Sequence, residues 1–221
     1  MTPFEMVKER VQSQAHDHWH EFSVIVASAD ILLALVLLGR ATTGMHVDRV
    51  HIVSVGIALA SILATVLAYY SIQVGILFVF GPLGLSEVLT SFLVVAAQLG
   101  LFLWPAHVLG AQPDLHGLRH WLLLFALFAF AGPLANRNAY VKRRKHHPGV
   151  ASEAFELHQR GDRIAGYVTC VIMIGCWALT FDREAWMEIG VGIAIISAIG
   201  GIISQAMTAR ILTADSLGSP S

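Results

Sequence analysis

From residue 52 to residue 106 the chain carries one charged side chain, Glu87. A single helix through these residues would run about 80 Å at ~1.5 Å per residue, well beyond the ~30 Å hydrocarbon core of a bilayer. At roughly 20 residues per crossing, the stretch instead holds two transmembrane helices and a connector. The connector is Gly81-Pro82-Leu83-Gly84, followed by Ser86 and Glu87. Proline ends the helix before it, and serine is a good N-cap for the helix after it.

Four other apolar stretches bring the count to six. The expected spans are 22–39, 50–72, 85–104, 119–136, 164–181 and 187–209. Only 13% of residues are charged and 56% are hydrophobic, against about 25% charged in a soluble domain. The fold class is therefore all-α: a polytopic integral membrane protein built as a six-transmembrane-helix bundle over 22–212, surrounded by lipid bilayer. Before the first span, Phe4, Val7, Val11, Ala15, His18 and Phe22 recur at three- and four-residue spacing. That pattern predicts an amphipathic, interfacial helix over 1–21 that can run into the first span. A short helix is expected at 152–159 and a disordered tail at 213–221. The first apolar run starts behind mixed charges and is followed by no small-residue cleavage site, so it reads as a span and not as a cleaved leader.

Basic residues set a direction. The fourth loop carries Arg137, Lys142, Arg143, Arg144, Lys145, Arg160 and Arg163. With Lys8, Arg10 and Arg210 these make ten on one side, against Arg40, Arg49, Arg119 and Arg183 on the other. An even number of spans then places both termini in the cytoplasm, in a cell membrane, with 137–147 facing anionic lipid headgroups. Net charge is −1, which leaves no nucleic-acid footprint.

The sharpest pointer to function is Asp30, deep within the first span. A carboxylate in hydrocarbon costs about 2.5–3.5 kcal/mol on insertion scales and is by default a functional group with a partner. No Lys or Arg lies within a span at a matching depth. Asp30 is then either a neutral, hydrogen-bonded structural group or one that trades a proton or binds a cation. Its small neighbours Ala27, Ser28 and Ala29 would admit a close helix. The last span offers small residues at Ala194/Ala198, Ser197/Gly201 and Gly200/Ser204, with Ser204 and Gln205 as hydrogen-bonding groups. That face could serve Asp30, a helix of another protein or a second copy in a homo-oligomer. Gln98 is a further polar partner for Asp30, as are Tyr69, Tyr70, Gln73, Thr90 and Thr169. Glu87 is weaker, because a first-turn glutamate is expected at a helix N-terminus.

Eleven histidines are the other unusual feature. His46, His51, His107, His116 and His120 fall on the outer side at helix ends, where they are either interfacial residues or ligands for haem, copper or zinc. On the inner side, His16 and His20 are one helical turn apart, a spacing that can chelate a metal. Cys170 and Cys176 share one apolar stretch, form no CxxC, and read as core residues. There is no Walker A, GxSxG, HExxH or kinase pattern, so an enzyme is the weaker expectation. The last span has no lysine for a retinal Schiff base. Three functions remain: a proton, cation or metal permease or channel; a redox or cofactor-binding membrane protein; and an accessory subunit of a membrane complex.

Overall fold

The apolar runs become helices whose order in space differs from their order in the chain. The computed structural model describes residues 3–42, 48–76, 85–111, 114–146 and 153–218. Side-chain surroundings are given for 21–42 except Ser23, 48–71, 89–111, 114–137 except Asn136, and 155–211. The elements are α1 (Pro3–Thr42), α2 (Arg49–Ile76), α3 (Leu85–Ala111), α4 (Leu115–Leu118), α5 (His120–His146), α6 (Glu153–Leu179) and α7 (Ala185–Gly218). Among the described residues, six helices are long and apolar enough to cross a membrane. Their spanning stretches are Val24–Thr42, Arg49–Ser71, Leu89–Ala111, Leu115–Ala135, Phe155–Leu179 and Ala185–Ile211.

The amphipathic segment and the first span are one continuous helix, α1. Several other boundaries differ from the sequence expectation. The short helix expected at 152–159 is the start of α6, so the fifth span opens at Phe155 and takes in His158 and Asp162. The fourth span opens with the single turn α4, whose N-cap Asp114 accepts from the Gly117 N–H. The last helix continues to Gly218, past the point where the sequence placed the end of order. The Gly81–Gly84 break lies outside the described residues.

The helices form a ring in the order α1, α2, α7, α6, α5, α3, which closes back on α1. α2 carries the innermost face. Ala58, Ala60, Ala64, Ser54 and Ser61 are fully buried along it, and such small side chains let neighbouring backbones come close. α7 uses the same device against α2: a Cβ on Gly201 would lie 2.7 Å from Leu67 Cδ2, and one on Gly56 would lie 2.8 Å from Val191 Cγ1. The outward side chains are apolar too, with Ile25, Leu32, Val171 and Ile196 all 66–71% exposed. A ring with that exterior suits hydrocarbon and not water.

Two prolines lie inside spans, and each is matched by a neighbour. Pro105 in α3 has no N–H, which frees the carbonyl of Leu101 one turn earlier. Ser61 Oγ of α2 donates to that carbonyl at 3.1 Å, and Trp121 Nε1 of α5 donates at 3.2 Å. Left bare in an apolar interior, a carbonyl would cost about 1–3 kcal/mol. Three helices are thus pinned at one freed group. Pro133 does the same for Ala129 in α5. Here α6 closes on the gap with Gly166, where a Cβ would strike the Pro133 ring and sit 3.0 Å from the Ala129 carbonyl.

Candidate functional site: a buried carboxylate at a three-helix junction

Asp30 is 1% exposed, and its partners come from α2 and α3. Thr65 Oγ1 donates to Asp30 Oδ2 at 3.2 Å, and Gln98 Nε2 donates to the same oxygen. Thr65 is 8% exposed and Gln98 2%. Asp30 Oδ1 and Gln98 Oε1 are buried and accept from no donor. Depth agrees on two helices. Asp30 lies six residues from Val24, and Thr65 six residues from Ser71, each ~9 Å from the same end of its span. The junction therefore lies between the middle of the bundle and the end where α1 begins and α7 finishes, closer to the middle.

Of the residues singled out around Asp30, the structure brings in Gln98 and not the last span. α7 packs on α2 and α6, and its small-residue face is used inside the ring, with Ala194 and Ala198 buried and Gly201 on Leu67. Gln205 is buried, on a helix that packs on α2 and α6. Ser204 Oγ donates to Asp162 Oδ1 and lies 3.0 Å from His158 Nε2. Glu87 falls in the first turn of α3, and its side chain lies outside the described residues. Thr65 escaped the sequence reading. Its signal was the hydroxyl stripe Ser54, Ser61 and Thr65, spaced seven and four residues apart on one face of α2.

The α6–α7 junction was also unforeseen, because the sequence put His158 in a separate short helix and Asp162 in the loop, both ahead of the fifth span. His158 Nε2 lies 3.0 Å from the Ser204 carbonyl, which can only accept, so this nitrogen carries the proton. The Ser204 hydroxyl in turn points at Asp162. Serine, histidine and aspartate meet here without the geometry of nucleophile activation. A base must take the serine proton with one nitrogen while the acid holds the other. Here a single nitrogen faces Ser204 and, at 3.8 Å, Asp162 Oδ2.

The histidines expected on the outer side are spread over separate contacts. His51 Nδ1 lies 2.6 Å from Asp48 Oδ1, and its backbone N–H donates to the same oxygen at 2.9 Å, capping α2. These two bonds hold the Asp48 carboxyl below its ordinary value. His116 Nδ1 accepts from Arg119 Nη1 at 3.0 Å, and Arg119 lies 3.9 Å above the Phe181 ring. His120 lies between Trp104, which it meets edge to face, and Trp177, and His107 borders Trp104. They form an aromatic belt of the kind found at membrane–water interfaces. Among the described residues, no group of three or more His, Cys, Asp or Glu side chains could hold a metal ion. His46, and the side chains of His16 and His20, lie outside the described residues. Arg49 of α2 pairs with Glu184 at 3.3 Å and with Glu188, tying the start of α2 to that of α7.

The chain matches no protein-family model, no curated protein and no solved structure. Its function is therefore read from its own residues. The Asp30 junction is the one described place where an acidic group at depth meets unfilled acceptors and has no histidine or arginine beside it.

Proposed function

We propose that the protein is a small permease or channel that moves protons or small cations across a membrane, with Asp30 as the group the ion engages. The observation that carries this reading is the buried Asp30 carboxylate, held by Thr65 and Gln98 with one oxygen left open. A group so placed is costly in hydrocarbon, and helix bundles commonly put such groups on ion and proton pathways. By charge bias the termini and the 137–147 segment face the cytoplasm, where that segment meets anionic headgroups of the cell membrane. The test is ion flux in proteoliposomes. Wild-type protein should dissipate an imposed ion gradient, and Asp30→Asn should reduce the rate to that of empty vesicles. Equal rates for the two folded proteins would sink the proposal.

A further inference from the structure

We infer that the ion at this site is the proton, carried on Asp30 Oδ1 in a cyclic acid–amide pair with Gln98. This inference rests on the permease reading only for its consequence in transport. The geometry at the junction stands by itself.

The two carboxylate oxygens are not equivalent. Oδ2 accepts from both the Thr65 hydroxyl and the Gln98 amide, as the carbonyl oxygen of a neutral carboxylic acid would. Oδ1 accepts nothing. The amide has the complementary asymmetry: Nε2 is used and Oε1 has no donor. The two unfilled acceptors thus belong to two groups already joined through their other atoms. One proton on Oδ1, donated to Oε1, fills both and closes a ring of two hydrogen bonds. Turning the amide over does not remove the need. Gln98 Oε1 would then face Asp30 Oδ2, and two acceptors at hydrogen-bonding range require a proton between them.

A metal cation is the competing occupant. Sodium or potassium would need several oxygen ligands and a space of its own, whereas Oδ1 and Oε1 have almost no accessible surface. A proton adds no volume. An ionised Asp30 would also need a compensating charge, and the described residues of the packed elements offer none nearby. On α1 the described titratable groups are Glu21 and Arg40, nine and ten residues from Asp30, ~14 and ~15 Å along the helix. On α2 they are Arg49 and His51 at the far end, and Tyr69 and Tyr70 about one turn past Thr65. On α3 the described one is His107, nine residues beyond Gln98.

Infrared spectroscopy of the full chain in phosphatidylcholine–phosphatidylglycerol nanodiscs tests the inference. At neutral pH the wild type should show a protonated carboxylic-acid C=O band that shifts in D2O. Asp30→Asn should remove it. Gln98→Leu should keep it but move it to higher wavenumber, because the acid loses its partner. The wild-type band and the Gln98→Leu shift still decide the matter if Asp30→Asn does not fold. No such band in the wild type, or one untouched by both substitutions, overturns the inference, as does stoichiometric sodium bound to the wild type and lost in Asp30→Asn. Flux separates the two proposals. An Asp30 acid band with no ion flux sustains the inference and sinks the permease reading. Sodium-driven flux that needs Asp30, with no acid band, does the reverse.

Discussion

Asp30 and Asp162 lie at similar depths from the same end of the bundle, on opposite sides of the ring. Asp162 is seven residues from Phe155, ~10 Å along its helix, against ~9 Å for Asp30. Each accepts from a hydroxyl on a neighbouring helix, Ser204 in one case and Thr65 in the other. Their remaining neighbours set them apart. Asp162 has His158 one turn away, and its side chain is still 21% exposed. Asp30 is 1% exposed and has an amide where Asp162 has an imidazole. An imidazole can carry the charge that balances a carboxylate, and an amide cannot. The Asp162 junction therefore ties α6 to α7 with a group beside it that can balance a carboxylate, while the Asp30 junction has none among the described residues.

Substitutions can break or sharpen this contrast. The largest expected effect is on transport: Asp30→Asn abolishes flux in proteoliposomes while Asp162→Asn retains most of it. Loss in both would place the two carboxylates on one pathway. Next comes Gly166→Ala, which drives a methyl group into the Pro133 ring. Overpacking of this kind costs about 1–3 kcal/mol. The thermal midpoint in detergent should fall, whereas Gly175→Ala, which meets nothing within 4 Å, should leave it nearly unchanged. The Asp30 acid band should survive Gly166→Ala, since α6 does not contribute to that junction.

Smaller losses should follow from the two hydroxyls. Thr65→Val and Ser204→Ala each remove one hydrogen bond, worth about 0.5–1.5 kcal/mol. Only Thr65→Val should move the Asp30 band, and a shift on Ser204→Ala would mean that the junctions are coupled. The smallest effect belongs to Asp48, which is exposed. Its carboxyl lies below its ordinary value of 3.8. A depressed acid contributes stability above that value and loses it as pH falls through the folded-state value. The midpoint difference between wild type and Asp48→Asn should therefore hold steady from neutral pH to about 4 and narrow below it. A difference that widens in acid would contradict the His51 contact as the cause.

Much of the fold was legible in the sequence, because hydrocarbon thickness fixes helix length and charge is scarce in these spans. Asp30 was legible for the same reason, and Gln98 was among its named partners. Which helix would stand beside Asp30 was not. Small residues at four-residue spacing mark α7 as able to pack closely, but they do not say against what, and α7 packs on α2. Thr65 resembles the other hydroxyls of α2 until the ring order places α1 and α3 beside it. His158 and Asp162 were hidden by the basic residues Arg160 and Arg163 among them, which lowered the local hydropathy and moved the apparent start of the span to 164. In the structure α6 runs through them, so the polar first turns belong to the helix and not to the loop.

The position of α7 between α2 and α6 also has a consequence for the order of assembly. In the chain α2 precedes α7 by four helices of the ring, and the α2 surface at Gly56 and Leu67 is uncovered until Val191 and the Gly201 backbone pack on it. Until then the ring is an open arc, with its two end helices, α2 and α6, bare on the faces that α7 will cover. Of the six spanning helices, the last in the chain is the one that closes the circle. A chain cut before Ala185 would thus lose its shape and not merely a segment of it.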